Sequence, residues 1–102
     1  MSEAEKVETH VVGLQFSLYP LRQEHVRPAI EAAVQAVARE GVEVTVGKLS
    51  SFASGDEEAI FNAIRAAFAT ARSFGPTVML VTLSSGLPTE ETVAGIQAAA
   101  EA

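Results

Sequence analysis

Residues 9–18, THVVGLQFSL, alternate in character from one side chain to the next. In an extended chain, one face of this stretch carries the large apolar side chains Val12, Leu14, Phe16 and Leu18. The opposite face carries Val11, Gly13, Gln15 and Ser17. The pattern predicts a first strand that buries one face in a core, and Pro20 is expected to end it.

Polar residues interrupt two otherwise apolar strands. Gln15 and Ser17 lie in the first strand, and the stretch 82–88, TLSSGLP, closes the last one. An unpaired buried polar group costs about 1–3 kcal/mol, so these side chains need partners. Either the protein pairs them internally or a small polar ligand does.

The rest of the chain divides into helical and extended segments. Helical spacing of apolar residues predicts one helix from about residue 22 to Gly41 and another from about residue 54 to the Gly75-Pro76 break. Alternation predicts strands at 42–46, 49–53 and 77–84, and the Ala-rich composition of residues 89–102 predicts a short C-terminal helix. The order βαββαβ predicts a ferredoxin-like α+β sandwich with an antiparallel sheet in the order 4-1-3-2 and both helices on one face.

The last predicted strand is apolar on both faces. Residues 78–83 read VMLVTL, whereas a strand with one solvated face should alternate. We expect the second face of the sheet to be covered, most simply by another copy of the chain packed sheet to sheet into a dimer or tetramer.

Composition limits the class of protein. The chain has 102 residues, no cysteine, and a net charge of −6 with seven Lys and Arg residues. These values predict a single domain over residues 9–88, preceded by a flexible segment at 1–8 and followed by the helix at 89–102. They argue against a nucleic-acid partner and favour a neutral or cationic ligand. Without a signal-peptide pattern or an apolar run of about 20 residues, we expect a cytoplasmic protein that is not inserted in a membrane.

Three stretches resemble a known family. They are residues 15–20, QFSLYP; residues 48–56, KLSSFASGD; and residues 82–88, TLSSGLP. Their order and spacing resemble the thiamine-binding or hydroxymethylpyrimidine-binding YkoF-like family of ferredoxin-like proteins. The resemblance implies binding of thiamine or its pyrimidine moiety without catalysis, in salvage, transport or buffering, by oligomers or tandem repeats. Ser85 and Leu87 depart from the family pattern, which often has Asn and Cys at these places.

The candidate ligand-binding residues are Gln15, Ser17, Ser50, Ser51, Phe52, Asp56, Thr82, Ser84 and Ser85. Gln15 can offer a donor and an acceptor to a pyrimidine edge, although a hydrogen bond across a subunit interface is an alternative role. The hydroxyl residues are individually unremarkable, and the family resemblance favours Ser17, Ser51 and Ser84 among them.

Asp56 and the phenylalanines could each have a structural role or a role in binding the ligand. Asp56 is expected to cap a helix, with attraction of a thiazolium as a second role. Phe52 is expected to form a wall of the site, whereas Phe16 and Phe61 are expected in the core.

The first and last strands run antiparallel, so their polar ends point to opposite rims of the sheet. A ligand would therefore touch both strands only over the middle of the sheet or between subunits.

No catalytic or metal-ligating constellation is present in the sequence. His10 and His25 lack metal-ligand spacing, and the serines lack a neighbouring base motif. We therefore expect a binding protein without a bound metal or cofactor. The alternative is an interaction module that assembles subunits and takes no small-molecule ligand.

Overall fold

The computed structural model describes residues 11–47, 49–85 and 90–101, with side chains in the last range from residue 96 onward. The elements, in chain order, are β1 (Val11–Pro20), α1 (Arg27–Ala38), β2 (Glu43–Val46), β3 (Ser51–Asp56), α2 (Glu57–Arg72), β4 (Thr77–Ser85) and α3 (Glu90–Glu101). The predicted segments 1–8 and 86–88, and the residues His10 and Lys48, lie outside the described residues.

The four strands form one antiparallel sheet in the order β2-β3-β1-β4. This is the predicted 4-1-3-2 order, and the ferredoxin-like α+β fold is confirmed. Helices α1 and α2 pack against each other and against one face of the sheet. The core lies between these layers, where Leu14 and Phe16 from β1 meet Val37 from α1 and Ile60 from α2.

The start of α2 is set by Asp56. Its Oδ1 accepts a hydrogen bond from the backbone N–H of Ala59 at 2.9 Å, which satisfies one of the N–H groups that a helix start leaves unpaired. Glu57 and Glu58 follow in the first turn, where negative charge interacts favourably with the helix dipole. The predicted cap is thereby confirmed.

The β2–β3 connection depends on Gly47. Its N–H donates to the carbonyl of Ser50 at 2.9 Å, and a Cβ added to Gly47 would lie 2.7 Å from that same oxygen. Only glycine permits this approach without a backbone shift. The tight turn places Ser50 beside β1 and starts β3 at Ser51, two residues later than the sequence pattern predicted.

Helix α2 corrects one prediction about the core. Phe61 is 47% exposed, so the expectation that it packs in the core is wrong. The buried stripe instead consists of small residues around one Ile: Ile60, Ala63, Ala67 and Ala71. The alanines bring the helix axis close to the sheet, and at about 100° per residue Phe61 turns away from that stripe. Phe68 is also exposed, with the Arg72 guanidinium 6.0 Å from its ring centroid.

The difference between Ile60 and Phe61 is measurable. We expect Ile60→Ala to lower the free energy of unfolding by about 2–5 kcal/mol, because it opens a cavity at a fully buried position. Phe61→Ala should cost less than about 1 kcal/mol. Urea unfolding of the two variants checks this. An equal or larger loss for Phe61→Ala would contradict the placement of α2.

The cap gives a second prediction. Asp56→Ala should lower the free energy of unfolding by about 1 kcal/mol, whereas Asp56→Asn keeps a side-chain oxygen acceptor and should stay close to the original stability. Thermal or urea unfolding of both variants makes the comparison. If the two variants lose the same stability, the cap hydrogen bond does not contribute as described.

Candidate functional site on the open sheet face

The face of the sheet opposite the helices carries two rows of residues that cross all four strands. Directly paired residues on antiparallel strands project to the same face, so the strand register defines each row. The Gln15 row contains Thr45, Phe52, Gln15 and Thr82. The Gly13 row contains Glu43, Ser54, Gly13 and Ser84.

A pocket of about 290 Å³ lies over these two rows. All eight row residues line it, together with Leu14 and Ala53. The middle of the Gly13 row forms the floor of the pocket. It lies close to the backbone, because glycine has no side chain and its neighbours Ser54 and Ser84 are small. A glycine in a strand interior allows a ligand to approach the backbone closely, which suits this floor.

Gln15 projects into the pocket with a defined orientation. Its Nε2 donates a hydrogen bond to Ser50 Oγ at 2.9 Å. The Gly47 turn holds Ser50 in place, and the bond to Ser50 in turn fixes the plane of the Gln15 amide. Within the described part of the chain, no partner accompanies the Oε1 atom, which is therefore available as an acceptor.

The remaining lining residues combine an aromatic wall with hydroxyl groups and one carboxylate. Phe52 is 50% exposed and presents its ring beside Gln15, while Thr45, Ser54 and Thr82 contribute hydroxyl groups. Glu43 stands at the β2 end of the Gly13 row. An apolar surface with a few directed polar groups suits a small, flat molecule with polar edges.

Four of the sequence-predicted site residues meet in this pocket: Gln15, Phe52, Thr82 and Ser84. The antiparallel arrangement does not separate the two strands here, because Gln15 lies directly opposite Thr82, and Gly13 lies opposite Ser84. The pocket itself lies over the middle of the sheet.

Three predicted serines surround a smaller depression instead. Ser17, Ser50 and Ser51 line a space of about 130 Å³ beside α1 and the β2–β3 connection. The Ser17 hydroxyl donates to the carbonyl of Leu49 at 3.4 Å, and Ser51 is buried on the helix side of the sheet. Ser50 connects the two spaces through its hydrogen bond with Gln15.

Two further predicted residues lie apart from the pocket. Ser85 pairs with Val12 and so belongs to the opposite face of β4 from Ser84. The Asp56 carboxylate is engaged at the start of α2. Neither residue lines the 290 Å³ pocket.

Sequence reasoning missed Glu43, Thr45 and Ser54 as lining residues. The first two were visible in the alternation of residues 42–46, VEVTV, which places them on the polar face of β2. Their position beside Gln15 could not be predicted, because it depends on the β2–β3 and β1–β3 registers together.

The described residues offer no metal site and no membrane span. None of their His, Asp and Glu side chains gather in a group of three or more that would hold a metal ion. No helix within the described ranges is long and apolar enough to cross a bilayer.

Comparisons with solved structures return the same fold. A hypothetical protein from Methanocaldococcus jannascii aligns with a TM-score of 0.71 and 18% identity, covering 90% of this chain and 97% of its own. A Thermotoga maritima protein named "putative thiamine biosynthesis/salvage protein" aligns with a TM-score of 0.70 and 18% identity, and the alignment covers 84% of this chain and 98% of that protein. A Bacillus cereus domain of unknown function, DUF77, aligns with a TM-score of 0.69 and 20% identity, and the alignment covers 82% of this chain and 88% of that domain. At these identities the likeness concerns the fold.

The family assignment comes from the sequence itself. A search of curated proteins gave no significant match. The model of the YKOF-related family matches residues 4–90, which include all three stretches that carry the resemblance and every strand of the sheet. The chain belongs to the YkoF-related family.

Proposed function

We propose that this protein binds thiamine or its hydroxymethylpyrimidine moiety without catalysis, in thiamine salvage, transport or buffering. One observation carries the proposal: the register brings Gln15, Phe52, Thr82 and Ser84 from three strands into one pocket. Family membership and the shared fold of the Thermotoga maritima protein support the thiamine-related class of ligand.

The pocket chemistry matches an aminopyrimidine. The exocyclic amino group of that ring is a donor, and Gln15 Oε1 is an acceptor held in place through Ser50. Ring nitrogens are acceptors, and the hydroxyls of Thr82, which pairs with Gln15, and of Ser54, which pairs with Gly13, are donors. The ring would lie over Gly13, where the floor has no side chain.

The Phe52 ring and the volume of the pocket both suit a small planar ligand. Phe52 supplies an aromatic surface beside the Gln15 amide, and an aromatic pair contributes about 0.5–1.5 kcal/mol beyond its buried area. A volume of about 290 Å³ is near the lower end of the roughly 300–1,000 Å³ typical of small-molecule sites. The site therefore suits one compact ligand.

The lining favours binding over catalysis. Its hydroxyl groups are those of Ser and Thr, which become nucleophiles only beside a general base such as histidine. The pocket-lining residues include no histidine, cysteine or lysine. Glu43 is the carboxylate among the lining residues, and a single carboxylate at the edge of the pocket does not form a nucleophile–base pair.

We also propose that a second copy of the chain covers the rest of the open face. Leu80 is 59% exposed there, and Tyr19 and Val78 form the directly paired position next to it. Leu80 lies two residues along β4 from Thr82, so the patch adjoins the pocket. Because apolar surface of this kind favours burial, sheet-to-sheet assembly would cover the patch and add a wall to the pocket.

The binding proposal is tested with Gln15→Ala. By isothermal titration we expect the original protein to bind thiamine and hydroxymethylpyrimidine, and the variant to bind about three- to tenfold more weakly through loss of one hydrogen bond. Gln97→Ala, on the exposed face of α3, is the matched control and should leave affinity unchanged.

Two results would count against that proposal. Absence of heat and of a thermal shift with both compounds at millimolar concentration would remove the binding claim. A Gln15→Ala variant that loses assembly while no ligand binds would favour the interaction module instead.

The assembly proposal is tested with Leu80→Lys. A charge at the centre of the apolar patch should shift the protein toward monomer in sedimentation or light-scattering measurements, because burying that charge is costly. Phe74→Lys changes a similarly exposed apolar side chain outside the sheet and should leave the mass unchanged. Equal masses for the original protein and Leu80→Lys would contradict assembly through this face.

A further inference from the structure

Glu43 places a negative charge at one end of the pocket. It is the charged residue among the lining side chains, and it faces the same space as Gln15 and Phe52. The sequence had offered Asp56 as the group that attracts a cation, but the Asp56 carboxylate caps α2 and lies outside the pocket. Among the lining residues, Glu43 is therefore the one that can attract a cation with a full negative charge.

The Glu43 charge is not neutralised by the described part of the protein. The ion pair found among those residues joins Arg27 and Glu31 on α1, in the helix layer behind the sheet. The hydrogen bond and charge of Glu31 raise the pKa of Arg27, so that cation is already engaged. A positively charged ligand group would thus be the partner that the Glu43 carboxylate lacks among the described residues.

The distance across the sheet sets the length of the ligand. Glu43 on β2 and Gly13 on β1 belong to the same row, with Ser54 on β3 between them. Neighbouring strands are about 4.8 Å apart, so the row extends about 10 Å from Gly13 to Glu43. A single ring over Gly13 would not reach the carboxylate, whereas a two-ring molecule lying along the row would.

We propose that Glu43 is a specificity residue that selects a two-ring ligand with a cationic second ring over the neutral aminopyrimidine alone. This inference rests on the proposed function, since it takes the pyrimidine to lie beside Gln15. The thiazolium of thiamine is such a ring, and the low floor at Ser54 leaves room for it between the pyrimidine and the carboxylate. Phe52, on the adjacent row, lines the same pocket, and an aromatic ring there can add to the attraction of a cation.

The test compares Glu43→Gln with Glu40→Gln. Each variant removes one negative charge from a protein of net charge −6, but Glu40 is exposed after α1 and does not line the pocket. Thiamine and hydroxymethylpyrimidine are titrated into both variants and the original protein at pH 8, at low and at high salt. The charge of thiamine is permanent, and hydroxymethylpyrimidine is neutral at this pH.

We expect Glu43→Gln to weaken thiamine binding by about fivefold or more at low salt and to change hydroxymethylpyrimidine binding by less than about twofold. Salt should weaken thiamine binding to the original protein and to Glu40→Gln, and less so to Glu43→Gln, because salt screens the lost interaction.

The outcomes separate this inference from the proposed function. Binding of hydroxymethylpyrimidine but not thiamine by the original protein would overturn the role of Glu43 and leave the pyrimidine site intact. Equal effects of Glu43→Gln on both compounds, or no effect on either, would also overturn the Glu43 assignment alone. Failure of the original protein to bind either compound would overturn both proposals.

Discussion

The register of β1 between β3 and β4 determines both the core and the pocket. Side chains of a strand alternate between its faces, so a slip of one residue would exchange them. Such a slip would bring Gly13 and Gln15 into the core and expose Leu14 and Phe16, which are both 2% exposed. The apolar residues of β1 therefore fix the position of the polar ones, and the core that stabilises the fold also aligns the two rows of the pocket.

The two faces of the sheet differ in what they carry: one carries the core and the other the polar groups of the pocket. The helix face carries the core, where the alanine stripe of α2 brings that helix close to β1 and β3. The open face keeps its polar groups in reach of solvent, so they do not need partners within the core. Gly47 links the two arrangements, since its turn positions Ser50, which in turn orients the amide of Gln15.

Much of the fold was predictable because it rests on local patterns. Alternation in β1, the Asp56 cap and the Gly75-Pro76 break each depend on a few neighbouring residues, and the structure follows them. The burial of α2 was less predictable, because Phe61 and Ile60 are both apolar and only the direction of helix packing distinguishes them. In the site, Gln15 and Phe52 were recognised individually. Glu43 was missed because its place in the pocket depends on three strands paired in register.

Binding of a ligand across the Gln15 row and the Gly13 row of the open face can be observed residue by residue in an amide-resolved NMR titration of the isotope-labelled protein with thiamine. We expect the largest shifts at Gly13, Gln15, Phe52 and Ser84, with Glu43 affected by the second ring. Shifts confined to Ser17, Leu49 and Ser51, or to the helices, would exclude a ligand at these rows.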